Sequence, residues 1–343
     1  MRKHIHINGL LLLINTILGL LSLGILYNYF WGGSQVGFFG ALQLITPLIL
    51  VVHFIFIVLW ILKRTKWAVI SLFILVLSYL SFDGFFKLGL NENTSTTNDK
   101  LSLMSYNAMG FNRFEWIEIP EAGDSILAFI RTKSPDILCI QEHHLIHDEA
   151  LGHYDFKMET PYEDKRSKQA IFSKYPIVGQ GFLNLPKSVN NILFADILLA
   201  NDTIRVYNVH LQSFGIVPDQ TDISSQESTR LYQRVITTLT KQREQALLLR
   251  NHMLKSPYKV LVLGDFNNTQ FSRVYRIIAE GMSDSFKTIG KGWGSTYSLK
   301  GIPMRIDYIM ADSNFEFLSH QNFKKGYSDH EPIIATLGLK ANQ

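Results

Sequence analysis

The stretch Val260-Leu261-Val262-Leu263-Gly264-Asp265-Phe266-Asn267 decides the fold class, because an apolar, β-branched run ends in polar residues. Such a run is typical of a buried strand, which places Asp265 and Asn267 at the end of a rigid sheet. Two further strings, Arg305-Ile306-Asp307-Tyr308 and Ser328-Asp329-His330, have similar surroundings. Carboxylates are costly to bury unpaired, and Mg²⁺ prefers oxygen ligands. The three strings therefore predict a metal-dependent site that cuts phosphate esters.

Strands are predicted to outnumber helices in the C-terminal part of the chain. One predicted strand ends at Asn107, a second is followed directly by Glu142, and a third ends at His210. Helices are predicted over Asp124–Lys133 and Thr229–Leu254. Because the polar residues cluster where strands stop, we expect an α/β architecture of two packed sheets flanked by helices.

Residues 1–90 differ in character, since they are mostly apolar and carry few charges. We predict a membrane anchor with three transmembrane helices at about 8–30, 38–62 and 67–86. Each segment has about 20 residues or more, which at ~1.5 Å per residue crosses a hydrocarbon layer of ~30 Å. A signal peptide has a single, shorter apolar region. Soluble helices would need a polar face, which these segments lack.

The charges that flank these segments predict their orientation. Arg2 and Lys3 precede the first segment, and Lys63-Arg64-Thr65-Lys66 separates the second from the third, whereas the loop 31–37 is uncharged. Positive loops stay in the cytoplasm. Three crossings then place the catalytic domain outside the cytoplasm, in a periplasmic or extracellular location.

A polar stretch, residues 91–99, is predicted to link this anchor to a soluble domain at 100–343. Residues 1–99 hold six of the 33 basic and three of the 29 acidic residues, so the soluble domain is almost neutral. Proteins that bind polynucleotides usually carry a basic surface. This balance argues against a dedicated duplex nuclease. The single cysteine, Cys139, lies in an apolar run and is expected to be a core residue.

The predicted metal ligands are acids at strand ends. Glu142 and Asp265 follow strands, and Asp329 precedes the last strand. Magnesium typically binds through one or two carboxylates, with water and substrate phosphate completing its shell. No Cys/His cluster with zinc spacing occurs in the sequence.

Asp307 and His330 form a second predicted group. A carboxylate that accepts a hydrogen bond from one imidazole nitrogen fixes the tautomer and raises the basicity of the other. Such a histidine deprotonates water or, as imidazolium, binds a phosphoryl oxygen, and the sequence leaves both roles open. His210 is expected to protonate the leaving oxygen or to stabilise pentavalent phosphorus.

Neutral groups complete the predicted site. Asn107, Asn208 and Asn267 offer amides that orient phosphate oxygens without adding negative charge. Thr296 lies in a glycine-rich segment just before the Asp307 strand and is a candidate substrate contact, together with Asn208.

These motifs together resemble the endonuclease/exonuclease/phosphatase superfamily, over about residues 100–340 and in family order. The motifs are Ser105-Tyr106-Asn107, Ile140-Gln141-Glu142, Asn208-Val209-His210-Leu211, Gly264-Asp265-Phe266-Asn267, Arg305-Ile306-Asp307-Tyr308 and Ser328-Asp329-His330-Glu331-Pro332. The resemblance implies a deoxyribonuclease I-like, four-layer α/β sandwich of two packed mixed β-sheets. It also implies a Mg²⁺- or Mn²⁺-dependent hydrolase that acts by in-line attack of water.

The resemblance further implies a role for each matching residue. Glu142 is the principal metal ligand, with Asn107 and Asp329 nearby. Asp307 pairs with His330, Asp265 and Asn267 position water and phosphate, and His210 is the general acid.

The chain departs from one branch of this superfamily. Apurinic endonucleases place an acid two residues after the first asparagine, where this chain has Met109. They also use a tyrosine at the position of His210. This chain instead resembles the secreted nucleases and sphingomyelinases, which use a histidine there. Both differences argue against repair of abasic DNA.

The leading hypothesis is a membrane-anchored phosphoesterase that acts on a phospholipid headgroup, a nucleotide or a nucleic acid. The anchor and the neutral domain favour a lipid or a small phosphoester. The first alternative is an extracytoplasmic nuclease that degrades DNA or RNA, because substrate choice depends on loops and not on the sheet. The alternative from another class is a catalytically silent domain that binds a phosphorylated ligand or a partner. The sequence identifies no protein partner.

Overall fold

A computed structural model describes residues 2–33, 37–89, 100–144, 149–161, 167–200, 202–215 and 225–339. The predicted linker at 91–99 lies outside the described residues. The chain divides into two compact units. We call them the helical unit (Met1–Phe85, Ile223–Arg243 and Gln270–Arg276) and the sandwich unit (Phe86–Asp222, Glu244–Thr269 and Ile277–Gln343).

The helical unit begins with four apolar helices, α1 Arg2–Trp31, α2 Phe38–Leu42, α3 Thr46–Leu62 and α4 Ala68–Ser81. A 3₁₀ turn at Gln43–Ile45 joins α2 to α3, and a proline lies in the first turn of α3. Two helical stretches, Ile7–Trp31 and Phe38–Leu62, are long and apolar enough to cross a membrane. They correspond to the first two predicted segments.

Helix α4 is shorter than the third predicted segment, 67–86. It has 14 residues, which correspond to ~21 Å at ~1.5 Å per residue. Asp83 and Gly84 adopt positive φ angles of 55° and 73°, so the chain turns before the apolar run is complete. Among the described residues, two helices are thus long enough to span a bilayer by themselves, and not the three that the sequence predicts.

The three longer helices present apolar side chains outward and polar side chains inward. Large apolar residues are exposed along each helix, for example Leu13, Leu20, Val51, Phe54, Leu72 and Phe73. Polar side chains are buried between the helices, among them Asn15, Ser22, Gln43, His53, Ser71 and Ser78. This pattern is the reverse of that in a water-soluble helical bundle.

Contacts within the helical unit fix the helix directions. The Ser71 hydroxyl donates to Asn15 Oδ1 at 2.7 Å, and nearer the C-terminal ends the Tyr29 and Phe82 rings meet edge-on at 4.9 Å. These two contacts make α1 and α4 parallel. The Gln43 amide, just before α3, donates to Ile25 O at 3.4 Å near the C-terminal end of α1. The chain therefore runs up, down and up through α1, α3 and α4.

The other helices are α5 Ala122–Lys133, α6 Ser225–Met253, α7 Arg273–Ala279 and α8 Ser285–Ile289. The strands are β1 Lys87–Leu88, β2 Lys100–Asn107, β3 Ile137–Gln141, β4 Phe156–Glu159, β5 Gln169–Ser173, β6 Ile177–Leu183, β7 Ile192–Leu199, β8 Asp202–His210, β9 Lys259–Asp265, β10 Ser283–Asp284, β11 Lys291–Gly292, β12 Tyr297–Leu299, β13 Ile302–Met304, β14 Asp307–Ala311, β15 Phe315–Asn322 and β16 Ile333–Leu339.

Within the described residues, most strands form two six-stranded mixed sheets. Sheet I has the order β10-β14-β9-β8-β7-β6, and sheet II has the order β15-β16-β2-β3-β5-β4. Each sheet contains one parallel pair, β8–β9 in sheet I and β2–β3 in sheet II, and its other pairs are antiparallel. Two short antiparallel ribbons, β1–β11 and β12–β13, lie outside them.

The inner faces of the two sheets form the main core. This core includes Leu103, Cys139, Val206, Leu263 and Ile309, which are completely buried. The outer face of sheet II packs on α5, and the outer face of sheet I carries α6, where Tyr207 Oη and His252 Nδ1 lie 2.7 Å apart. The predicted arrangement of two mixed sheets flanked by helices is therefore confirmed.

Candidate active site

Strand register brings the polar residues of the sequence motifs to one edge of the sandwich. In sheet II, Asn107 ends β2 opposite Gln141, the last residue of β3, and Glu142 follows directly. In sheet I, both His210 and Asp307 pair with Asp265. Because β8 and β9 are parallel and β14 runs the other way, two strand ends and one strand start meet at Asp265.

Gly264 allows this close packing at the end of β9. Its φ angle is 138°, and a Cβ atom there would lie 2.0 Å from Val209 O. No other residue type fits at this distance without moving β8 away from β9. The glycine of the Gly264-Asp265 string thus sets the spacing on which the site depends.

Hydrogen bonds join the two sheets at this edge. The Asn107 amide donates to Asp265 Oδ2 at 3.2 Å and to Glu142 Oε1 at 3.3 Å. His210 Nε2 lies 3.7 Å from Asp265 Oδ2 and 3.8 Å from Glu142 Oε1. Glu142 itself has a positive φ of 51°, an uncommon backbone conformation that turns it away from the line of β3.

The Asp307–His330 pair lies on the other side of Asp265. His330 Nδ1 and Asp307 Oδ2 are 2.9 Å apart, and His330 Nε2 lies 3.7 Å from Asp265 Oδ2. All three side chains are buried, and their ligand atoms lie within 4.8 Å of one another. Ser328 links the loop before β16 to the end of β2, because its hydroxyl donates to Asn107 O at 2.8 Å.

Asn267 belongs to the same cluster. Its backbone N–H donates to Asp265 Oδ1 at 2.7 Å, and its amide donates to Asp265 Oδ2 at 3.1 Å and to Leu211 O at 3.1 Å. These bonds fix the orientation of the Asp265 carboxylate. Asp329 lies within electrostatic range of Glu142, His210 and His330.

The two histidines of the cluster have opposite pKa shifts. Burial lowers the pKa of His330, but the carboxylates of Asp307 and Asp265 outweigh burial, so its pKa rises well above the usual value. For His210, burial dominates over the attraction of Asp265 and lowers the pKa. The same edge thus holds one imidazole that favours its charged form and one that favours its neutral form.

The carboxylates are shifted upward. Burial, followed by repulsion from Asp329, raises the pKa of Glu142, although the Asn107 amide and His330 oppose the shift. Burial also raises the pKa of Asp265. Four carboxylates share this edge, and His330 is the one positively charged partner that the described contacts give them.

This donor set suits a hard divalent cation. Carboxylate oxygens of Glu142, Asp265 and Asp307 and an imidazole nitrogen of His330 lie at this edge, and the side chain of Glu142 remains 37% exposed. Asp307 Oδ1 is buried without a hydrogen-bond partner. An ion would compensate the charge that raises the pKa of Glu142, and oxygen-rich sites of this kind are the ones that Mg²⁺ and Mn²⁺ use.

Asn208 and Thr296, the predicted substrate contacts, have internal partners. The Asn208 amide donates to Ile140 O and Ala170 O, each at 2.9 Å, and accepts from Gln141 at 2.7 Å. The Thr296 hydroxyl accepts from the backbone of Ile306 and Asp307 at 3.1 and 3.2 Å. Both side chains are completely buried. These contacts favour a positioning role, between the sheets for Asn208 and under Asp307 for Thr296.

Two features of the site were not indicated by the sequence. The Tyr297 ring lies 5.0 Å from the His330 imidazole and supports its outer side; its position next to Thr296 was the available signal. The second feature is an exposed loop after β2. Phe114 and Trp116 stack on each other there at 5.1 Å, and the Asn112 side chain closes the loop through two hydrogen bonds to Ile117.

Comparisons with known proteins concern both units of the chain. A family model described as Domain of unknown function (DUF8431) matches residues 8–85. None of the curated proteins matches the chain.

Solved structures share the fold at low sequence identity. D. rerio TDP2 complexed with a single-strand DNA product has 16% identity and a TM-score of 0.55, and the match covers 70% of this chain and 100% of that protein. An endonuclease/exonuclease/phosphatase family protein from Bacteroides thetaiotaomicron has 17% identity and a TM-score of 0.54, with 71% and 99% covered. The mannosyl-6-phosphatase Bt3783 from the same species has 17% identity and a TM-score of 0.50, with 70% and 100% covered.

The polar edge lies entirely within residues 104–330, which match the family model described as Endonuclease/Exonuclease/phosphatase family, and so do most strands of the two mixed sheets, whereas β16 lies beyond the match. Since this match covers about two thirds of the sequence, the chain belongs to the endonuclease/exonuclease/phosphatase family.

Proposed function

We propose that this protein is a membrane-anchored, divalent-metal-dependent phosphoester hydrolase that acts outside the cytoplasm. One observation carries the proposal. Glu142 and Asn107 from sheet II meet Asp265 and Asp307 from sheet I and His330 from the loop before β16, at distances of 2.9 to 3.7 Å. An edge with a purely structural role would not be expected to hold this many acidic side chains, because each buried carboxylate costs free energy.

In the proposed reaction, Asp265 and Asn267 hold the attacking water in line with the scissile P–O bond. The fixed orientation of Asp265 supports this role, since both of its oxygens accept hydrogen bonds from Asn267. His330, oriented by Asp307, directs Nε2 toward Asp265 and toward the phosphoryl oxygens. His210, on the opposite side of Asp265 and in its neutral form, stabilises the leaving oxygen through an N–H hydrogen bond in this proposal, and Asp265 accepts the proton of the attacking water.

Glu142, with Asn107 and Asp329, would hold Mg²⁺ or Mn²⁺. Such an ion polarises the phosphoryl oxygen and neutralises developing negative charge. The Asn107–Glu142 hydrogen bond orients the carboxylate for this task.

The reversed polarity of the helical unit supports a membrane anchor. The exposed apolar faces of α1, α3 and α4 suit lipid, and buried polar side chains are characteristic of helix contacts in membranes. α4 is short, but Trp67 and Tyr79 lie near its ends and suit the interfaces. We therefore propose that α4 also inserts, which gives three crossings and an extracytoplasmic catalytic domain.

A nuclease is the second candidate. The stacked pair Phe114 and Trp116 is 60% and 66% exposed, and the Arg113 guanidinium lies 5.2 Å from the Phe114 ring. Exposed aromatic rings beside a cation are how many proteins stack unpaired bases. The almost neutral soluble domain favours a lipid headgroup or another small phosphoester instead.

The proposed chemistry is tested on the full chain in detergent micelles. Bis-p-nitrophenyl phosphate should be hydrolysed with Mg²⁺ or Mn²⁺, and chelation should abolish turnover reversibly. Glu142→Gln, which keeps the size of the side chain, should lower kcat/KM by about 10² or more. The control is Glu149→Gln, an exposed acid outside the cluster. Full activity in Glu142→Gln would remove this residue from the mechanism.

Substrate and location need separate experiments. A panel of phospholipids, nucleotides, and single- and double-stranded DNA ranks the candidates by kcat/KM. A reporter fused after Gln343 reports the side of the membrane, and a cytoplasmic signal would contradict the proposed orientation.

A further inference from the structure

A small pocket with a volume of about 20 Å³, open to solvent, lies in the helical unit at the end where α1 stops and α2 begins. The C-terminal end of α1, α2, the middle of α6 and the start of α7 line it. All of these segments belong to the helical unit. The pocket is therefore distinct from the phosphoesterase edge of the sandwich unit.

Two cationic and three polar side chains reach the pocket, although most of its wall is apolar. Arg243 and Arg273 supply two guanidinium groups, Asn28 and Gln43 supply amides, and Ser272 supplies a hydroxyl. None of the described residues that line it is acidic. A cavity with this set of donors suits an anion with several oxygen atoms, and a phosphate matches the geometry of guanidinium groups especially well.

Fixed contacts hold this arrangement in place. The Arg273 guanidinium donates to Tyr29 O at 3.0 Å and to Phe30 O at 2.7 Å, and its backbone N–H donates to Gln43 Oε1 at 3.1 Å. Arg276 lies 4.8 Å from the Phe30 ring. These bonds tie the start of α7 to the C-terminal end of α1, so the walls of the pocket are built before any ligand binds.

The surroundings of the pocket match a membrane–water interface. Tyr27 and Trp31 on α1 and Phe38 on α2 are exposed by 63%, 67% and 53%. Aromatic residues concentrate at the level of the lipid headgroups. The apolar surfaces of α1 and α3 begin directly beyond them, which places the two arginines where phosphates of lipids lie.

We propose that this pocket binds the phosphate group of an anionic phospholipid headgroup, with Arg243 as the principal recognition residue. The inference rests on the membrane anchoring proposed above and is independent of the hydrolytic chemistry. A bound lipid would join α1 and α2 to α6 and α7, and it would thereby stabilise the helical unit.

The test titrates the full chain in nonionic detergent with short-chain phosphatidylglycerol, and isothermal titration calorimetry records binding. We expect saturable binding that Arg243→Ala weakens at least tenfold and that Arg243→Lys partly restores. The matched control is Arg230→Ala, which removes the same charge from an exposed position of α6 that does not line the pocket. We expect this control to bind like the wild type.

Three results would overturn the proposal. An equal loss in Arg230→Ala would indicate diffuse attraction to charge. Inorganic phosphate that binds as tightly as the lipid would indicate a site for the free anion. Absence of saturable lipid binding would indicate no site. Hydrolysis of bis-p-nitrophenyl phosphate and recovery in the membrane fraction, measured with the same variants, show separately whether the proposed function holds.

Discussion

The helical unit and the sandwich unit bury opposite kinds of side chain. In the sandwich unit, Leu263 and Ile309 are completely buried between the sheets, and polar groups are concentrated at one edge. In the helical unit, Asn15, His53 and Ser71 are completely buried, and large apolar side chains face outward. Since burial of apolar area drives folding only where water is the surrounding solvent, this difference supports the proposal that the helical unit lies in a membrane and the sandwich unit in water.

The buried polar groups also do different work in the two units. In the helical unit several have partners on another helix, as His53 does with Ser22 at 3.0 Å and Ser71 at 2.9 Å. In the sandwich unit, burial and, to a lesser extent, repulsion between neighbouring carboxylates raise the pKa values of Glu142 and Asp265. The first arrangement holds helices together, whereas the second stores electrostatic free energy that a cation or substrate releases.

The largest expected difference concerns leucine side chains. Leu263→Ala should destabilise the protein by about 2–5 kcal/mol, because it leaves a cavity between the sheets. Leu48→Ala on α3, at a side chain that is 45% exposed, should cost less than about 0.5 kcal/mol. Chemical unfolding of both variants in the same detergent measures the two losses. Equal losses would contradict the idea that α3 presents this face to lipid.

The second prediction concerns membrane insertion of α4. Leu72, 50% exposed on its outer face, becomes a charge in Leu72→Lys, which should disfavour insertion by about 3 kcal/mol. The measurement is the fraction of chains in which residues 65–86 span a microsomal membrane, read from glycosylation sites placed on either side. Leu72→Ile is the control. An unchanged fraction in Leu72→Lys would mean that α4 does not cross the bilayer.

The third prediction concerns the catalytic edge. His330→Ala and Asp307→Ala should each lower kcat/KM by about 10², and the double variant should lose no more than either one, because the two act as a unit. Kinetics with bis-p-nitrophenyl phosphate measure all three. The control is His320→Ala, a partly buried histidine of sheet II that contacts Ser285 and Asn322 away from this edge. Multiplicative losses would separate Asp307 from His330.

The sequence indicates which polar residues follow or begin a strand, and the structure brings these residues to one edge. An apolar run that stops at Asp265 or before Glu142 indicates both the strand and the position of the acid. The partners of an amide or hydroxyl carry no such signal. Asn208 and Thr296 follow the same pattern as the other site residues, yet the structure uses them between the sheets and under a strand.

The helical unit shows the corresponding limit for long-range contacts. Hydropathy alone identifies α1 and α3, but it overextends α4, because a turn at Asp83 and Gly84 ends the helix inside an apolar run. Hydropathy also gives no indication that Arg273, 243 residues after Phe30, binds the C-terminal end of α1. Local patterns report which side chains are apolar, and only the folded chain shows which helix end an arginine meets.

The smallest expected effect comes from the polar side chains inside the helical unit. Ser71→Ala removes the hydrogen bonds to Asn15 and His53, and it should destabilise the helix contacts by about 0.6 kcal/mol, up to about 1.7 kcal/mol. The control is Thr16→Ala, since the exposed Thr16 hydroxyl bonds only to Leu12 O of its own helix.

Both variants are titrated with an alkyl sulfate detergent, and unfolding is monitored by the loss of the helical circular dichroism signal. The shift between the two unfolding curves measures this difference. A loss in Ser71→Ala as large as that of Leu263→Ala would mean that the polar side chains, and not packing of the helix backbones, hold α1 and α4 together. No loss at all, relative to Thr16→Ala, would mean that Asn15 and His53 find other partners when Ser71 is absent. Either result would change the comparison between the two units, because it would alter how much stability buried polar contacts contribute where lipid replaces water.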